Sequence, residues 1–170
     1  MLSRGDWGAK PALDGQQAHK VRRITLHHTA VRAKPARALA QKMRSLQRFS
    51  QSDELLADGR RKRPWPDVPY HFYIDVNGQV AEGRNQRFAG DTNTNYDPAG
   101  HIGIALEGNF EVDRPTAAQE QALTALLRSL IREHGLTAAD VGTHRNFAAT
   151  ACPGRHLEAR LPAILKAAAR

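Results

Sequence analysis

The pattern of this 170-residue chain predicts a mixed α/β fold: a single domain over residues 1–170, with a central mixed β-sheet flanked by helices. Strand-like runs alternate with runs of helical periodicity, which sets helices against a sheet rather than in a separate bundle. The length suits one core, since domains cluster near ~100–150 residues. Hydrophobic residues make up 41% and the mean hydropathy is −0.56, values too apolar for wholesale disorder.

The elements follow in order. Residues 21–29, VRRITLHHT, are β-branched and apolar enough for a strand, with Ile24, Leu26 and His28 on one face and Thr25, His27 and Thr29 on the other. Pro35 starts a helix whose stripe is Ala36, Leu39, Met43, Leu46 and Phe49. Ser50 to Pro69 reads as loop. HFYIDV, Asn77-Gly78 and QVAEG form a hairpin, Asn-Gly suiting a type I′ turn. Residues 84–100 are rich in Asn, Asp, Gly and Thr and read as a long loop. HIGIALEGNF (101–110) is a strand with Ile102, Ile104 and Leu106 on one face. Thr116 and Gln119 make a capping box before Leu123, Leu126, Leu127, Leu130 and Ile131, and Gly135 ends that helix. A last helix carries Leu161, Ile164, Leu165 and Ala168, with Pro162 near its start.

Composition excludes several classes. No apolar run approaches the ~18–20 residues of a membrane helix, so no transmembrane segment is expected. MLSRGDWGAK has no apolar stretch behind its charges, so no signal peptide is expected in this chain. One cysteine excludes an internal disulfide and any multi-thiolate zinc site. The net charge of +8 and pI near 10.2 favour polyanionic partners. The run Arg60-Arg61-Lys62-Arg63, flanked by Gly and Pro, reads as an exposed solvated loop. No zinc finger, phosphate loop or aromatic RNA-binding signature accompanies it, so no specific nucleic-acid partner is expected.

Three features carry candidate chemistry: His27-His28-Thr29 at a strand end, Tyr70-His71-Phe72 opening the hairpin, and Thr143-His144-Arg145-Asn146 followed by Thr150-Ala151-Cys152-Pro153-Gly154. Two imidazoles and a thiolate are good Zn²⁺ ligands and leave a fourth position for water, the arrangement of a zinc hydrolase. The ordinary alternative is a buried apolar cysteine and a structural histidine pair. Strand alternation points His27 and His28 to opposite faces, so one of them reaches a shared metal; the pattern does not say which.

LHHTA (26–30), PYHFYIDVNGQVAEGR (69–84), IGIALEGNF (102–110) and THRNFAATACPG (143–154) occur in an order that resembles the zinc-dependent N-acetylmuramoyl-L-alanine amidases, which include phage amidase-type lysozymes and peptidoglycan recognition proteins. SRGDWGAKP (3–11) is similar to the opening of many recognition-protein domains. The resemblance implies an amidase-like fold and His27, His144 and Cys152 as zinc ligands. It also implies catalytic roles for Tyr70, beside the reacting water, and Thr150, where phage enzymes carry lysine. Ala105 stands where the related wall-recycling amidases have a catalytic glutamate, and Cys152 where they have an aspartate, which points to the tyrosine-using branch. Ser52–Arg63 is longer than usual and is expected to form part of a groove wall.

The implied reaction is hydrolysis of the amide between N-acetylmuramic acid and the L-alanine of the stem peptide, in lysis or remodelling of the cell wall. The alternative is a peptidoglycan-binding module without turnover, against which the complete ligand set argues. An unperturbed phenol, pKa ~10, is a poor base at neutral pH, so Tyr70 is read as orienting water or stabilising the oxyanion. Thr150 is either an oxyanion donor or a loop threonine satisfying nearby backbone. His28 is read as structural, and His19, His71, His101, His134 and His156 as packing or surface residues. Trp65 and the loop 91–100 are placed at the cleft, and Trp7 in packing. The partner is peptidoglycan; a monomer is expected, with room for an inhibitor or immunity protein. The site of action is the envelope (periplasm) or outside the cell, by an export route the chain does not show.

Overall fold

The computed structural model describes residues 1–55, 59 and 61–169. The elements are β1 (Arg23–His28), α1 (Leu39–Gln51), β2 (Glu54–Leu55), β3 (Arg61–Lys62), β4 (Phe72–Ile74), β5 (Val80–Glu82), β6 (His101–Leu106), α2 (Ala117–His134), β7 (Val141–Thr143) and α3 (Arg155–Ala168). Short 3-10 turns lie at Ala138–Asp140 and His144–Asn146. The five-stranded sheet has the order β5-β4-β6-β1-β7, and β2 pairs with β3 apart from it. Strands β4, β6, β1 and β7 run parallel, while β5 returns antiparallel through the hairpin. This is the mixed sheet flanked by helices that the alternating runs predict.

Alternation assigns the two faces of the sheet different work. Ile24 and Leu26 of β1 and Ile102, Ile104 and Leu106 of β6 point to one face and are fully buried. They pack on Leu123, Leu127 and Leu130 of α2 and Leu157 and Ile164 of α3. On the other face, α1 brings Leu39 and Met43 against Trp7, Tyr73, Ala81 and Ala105. That second layer covers only part of its face. Beyond it lies a hollow that His27 faces; Ala105 and Gly103 of β6, in register with His27 and Thr25, are buried beside it, Ala105 within the α1 layer and Gly103 under Tyr70.

Several details depart from the sequence expectation. Helix α1 begins at Leu39, not Pro35, and buries Lys42, Gln47 and Ser50 beside Leu39 and Met43, leaving Phe49 exposed. The hairpin turn is not type I′. Asn77 lacks the positive φ that type I′ demands, because Asp75 Oδ1 accepts the Asn77 and Gln79 amides and organises a longer loop in which only Gly78 is left-handed (φ 78°). A Cβ at Gly78 would also lie 2.6 Å from the Ala118 carbonyl oxygen. Strand β6 stops at Leu106. Helix α3 starts at Arg155, so Pro162 is internal to it. Residues 50–69 are not all loop: α1 extends through Gln51 and the β2–β3 pair follows. In the basic run, Arg61 and Arg63 are exposed but Lys62 is buried, its ammonium donating to the Ser50, Ser52 and Arg63 carbonyls. Arg60 lies outside the described residues. The Thr116–Gln119 capping box and the left-handed Gly135 end stand as expected.

A buried charge cluster locks the layers together. Lys42 Nζ on α1 donates to Glu107 Oε2 at 2.7 Å, just beyond β6, and to Asp75 Oδ2 at 3.3 Å in the hairpin turn. Glu107 also accepts the Lys34 and Val76 amides, and its carbonyl accepts from Gln119 Nε2 of α2. Removing one member strands the others without water. Lys42→Met is expected to cost about 3–5 kcal/mol, read as a lowered urea midpoint with unchanged slope.

Acid acts through the buried imidazoles. His71 accepts the Gly103 amide at Nδ1 and donates from Nε2 to the Phe88 carbonyl; burial holds it at about 4, and His101 likewise. Between those values and the ~6.5 of an unfolded histidine, the unfolded chain binds more protons. Stability is therefore expected to fall as pH drops from about 6.5 to about 4; flat urea midpoints across that range would contradict this.

Candidate metal centre

His27 occupies the second-to-last position of β1 and points into the hollow, beside the ring of Tyr70 at 5.1 Å between centroids. His28 turns the other way, where its Nδ1 accepts the Phe110 amide, so the face ambiguity resolves in favour of His27. Strand β7 pairs with β1 as far as Leu26↔Thr143, and His144 follows at once, its ring 4.6 Å from that of His27. Asn146 Oδ1 accepts the Thr143 amide and fixes this turn. The chain then returns through 147–154: Arg145 donates to the Ala151 carbonyl, and Cys152 Sγ comes to 3.7 Å from His27 Nδ1.

Ligand atoms of His27, His144 and Cys152 lie within 4.8 Å of one another. Burial holds His27 well below the ordinary imidazole range, and neighbouring histidines reinforce this; burial lowers His144 as well. Both rings are therefore neutral with lone pairs available. Burial pushes the Cys152 thiol up to about 11, partly opposed by the His28 amide, which donates to Sγ at 3.4 Å. A neutral pair of imidazoles and a thiol turned to one point suit a tetrahedral cation with one position left open.

The centre lies in a cleft of about 350 Å³ whose wall includes Trp65, Tyr70, Asp91, Thr94 and Thr150. Burial raises the Tyr70 phenol, with Cys152 and Tyr96 adding to the effect, so the hydroxyl keeps its proton. Thr150 Oγ1 accepts the Cys152 amide at 3.2 Å, the backbone-satisfying role of a loop threonine. The loop 91–100 borders the cleft through Asp91–Thr94. Described residues of Ser52–Arg63 do not line it; Asp53, Arg61 and Arg63 open onto a separate hollow with Trp65, because β2–β3 folds away beyond α1.

Thr94 escapes a sequence reading. Its Oγ1 bonds His144 Nε2 at 2.6 Å and is itself bonded to Thr92 Oγ1. Tyr96 lies against the same ring, 5.2 Å between centroids. Nothing but the polar composition of the loop signalled either residue, since contacts across some fifty positions leave no local pattern.

Fold and site together define a class: a mixed-sheet domain with a two-histidine, one-cysteine centre open to a surface cleft. Residues 17–155 match the family described as N-acetylmuramoyl-L-alanine amidase (Amidase_2), and the chain belongs to that family. Peptidoglycan-recognition protein SD of Drosophila simulans is 32% identical over 94% of this chain and 82% of its own length. N-acetylmuramoyl-L-alanine amidase of Sus scrofa is 32% identical over 87% of this chain but only 24% of its own. The crystal structure of tracheal cytotoxin bound to the ectodomain complex of peptidoglycan recognition proteins LCa and LCx aligns with a TM-score of 0.75 at 26% identity, covering 94% of this chain and 93% of that one. Among the described residues, no helix is long and apolar enough to cross a membrane.

The His144–Thr94 bond suggests a direct test. Thr94→Val is expected to weaken divalent-metal binding about 10- to 100-fold in chelator competition, by freeing the ring that it orients.

Proposed function

We propose that this chain is a zinc-dependent N-acetylmuramoyl-L-alanine amidase that cleaves peptidoglycan between the lactyl group of N-acetylmuramic acid and L-alanine. The observation that carries the reading is the convergence of His27, His144 and Cys152 at the cleft floor with the Tyr70 phenol beside them. The donor set fits zinc: two neutral nitrogens, one sulfur, and an open side facing the cleft. The hydrogen bond with Thr94 Oγ1 occupies His144 Nε2, which leaves Nδ1 for the cation, and the His28 amide supports the Cys152 thiolate. Bound Zn²⁺ supplies Lewis acidity, activating water at neutral pH and polarising the scissile carbonyl.

The chain's own groups do the rest. Tyr70, held protonated by burial, donates to the developing oxyanion or to the attacking water and does not take up a proton. Thr150 Oγ1 receives the Cys152 amide, and its hydroxyl proton remains available to a second donor position toward the cleft. Ala105, fully buried beside His27 in register, supplies no carboxylate, in keeping with a tyrosine-assisted reaction. The substrate places the site of action in the envelope or outside the cell. A protein that binds peptidoglycan without turnover, as the name of its Drosophila simulans relative allows, would share the cleft; Cys152 in place favours turnover.

Digestion of purified peptidoglycan with mass analysis separates these readings. Wild type is expected to release stem peptides beginning at L-alanine, and Cys152→Ala to release none and lose stoichiometric zinc. Tyr70→Phe is expected to keep its zinc and lose about 100- to 1,000-fold in rate. Tight wall binding by zinc-replete wild type without any cleavage would establish the recognition reading instead.

A further inference from the structure

The chain's positive charge is concentrated in one segment. Between Asp14 and Asp53 there is no acidic residue, while Lys20, Arg22, Arg23, Arg32, Lys34, Arg37, Lys42, Arg44 and Arg48 all fall there. These nine cations exceed the net charge of the whole protein, +8. Lys42 is spent inside, on Glu107 and Asp75. Arg37, Arg44 and Arg48 gather on the outer side of α1, where with Lys10 they line a groove of about 740 Å³ separate from the metal cleft.

The groove is built, not incidental. Gln47 accepts the Lys10 amide and donates to the Lys10 carbonyl, each at 2.9 Å, clamping the 7–10 segment along α1 as one wall. Arg44 donates to the Trp7 carbonyl at 2.8 Å, and Arg37 donates to Ser45 Oγ and the Gln41 carbonyl. Neutral partners therefore hold the Arg37 and Arg44 guanidinium groups in place without cancelling their charge. Elsewhere arginines meet carboxylates: Arg4 with Asp67, Arg84 with Asp91, Arg145 with Glu111 and Arg160 with Glu120. Among the described residues the groove wall carries no acidic side chain at all.

We propose that this groove binds a flexible polyol-phosphate chain, the anionic polymer carried on wall glycan, and so holds the protein on its substrate. Preorganised guanidinium groups in a recess suit successive phosphates. No aromatic ring lines the groove, so the stacking platform that single-stranded nucleic acid requires is missing. A flat lipid surface would not reach into a recess. The choice of polymer rests on the wall-directed reading above.

The test is binding of a glycerol-phosphate oligomer, free of peptidoglycan, across a salt series. Wild type is expected to bind, and Arg44→Gln with Arg48→Gln to lose at least about tenfold at low salt, lowering the log–log salt slope by about two. Arg44→Lys with Arg48→Lys should restore most of the binding. The control pair Arg114→Gln with Arg132→Gln, exposed and remote in sequence, should leave it unchanged; an equal loss there would reduce the effect to net charge and overturn the proposal. So would no binding by wild type, tighter binding of an oligothymidylate, or binding only to phosphatidylglycerol vesicles. Cleavage of a polymer-free muramoyl peptide is expected to survive the groove substitutions. Failure of the groove and failure of the amidase assignment are thus separate results.

Discussion

The register of β1 is the constraint on which the rest of the molecule depends. Held between two parallel neighbours, it pairs Leu26 with Ile104 on one side and with Thr143 on the other. Because β7 ends level with Leu26, the next residue of each strand is a histidine, and the two rings meet. A one-residue slip would invert the faces of β1, burying His27 under α2 and α3 and turning Leu26 into the cleft. The apolar layer beneath makes that slip costly, so the packing of one face secures the chemistry of the other.

The opposite face works by omission. The α1 layer covers the portion near Tyr73, Ala81 and Ala105 and stops short of the cleft. Tyr70 leans over Gly103, where an added Cβ would stand 3.6 Å from its ring. The remaining hollow is closed by segments without regular structure, 91–94 and 150–152, each pinned by a few hydrogen bonds. A rigid sheet thus supplies the first of the proposed ligands, and loops bring the rest to it. The Lys42–Glu107–Asp75 cluster serves the same end at longer range by fixing α1 and the hairpin to the end of β6.

Where sequence and structure part, the cause is a contact between distant residues. Asn77-Gly78 signals a tight turn, but Asp75 captures two amides and lengthens it. The stripe from Ala36 to Phe49 reads as the buried face of α1, yet Lys42 and Gln47 are buried through partners at Glu107 and Asp67, while Phe49 stays outside. Strand β7 is three residues long, too short for any periodicity, though it positions a proposed ligand. Lys62 sits in a run of cations but finds three carbonyls and leaves the solvent.

By itself the sequence determined the class of fold, the capped helix α2, the faces of β1 and β6, and the residue types that meet in the cleft. The first three follow from alternation and capping, which are local and survive in one dimension; the last rests on short motifs whose order resembles a known family. Tertiary structure decided which of the paired histidines enters the cleft, that Thr94 holds His144, that Thr150 serves the Cys152 amide, and that Arg37 joins Arg44 and Arg48 of α1 along a groove without acids. Each of these depends on which distant backbone lies alongside, and so on strand pairing and packing that no local pattern encodes.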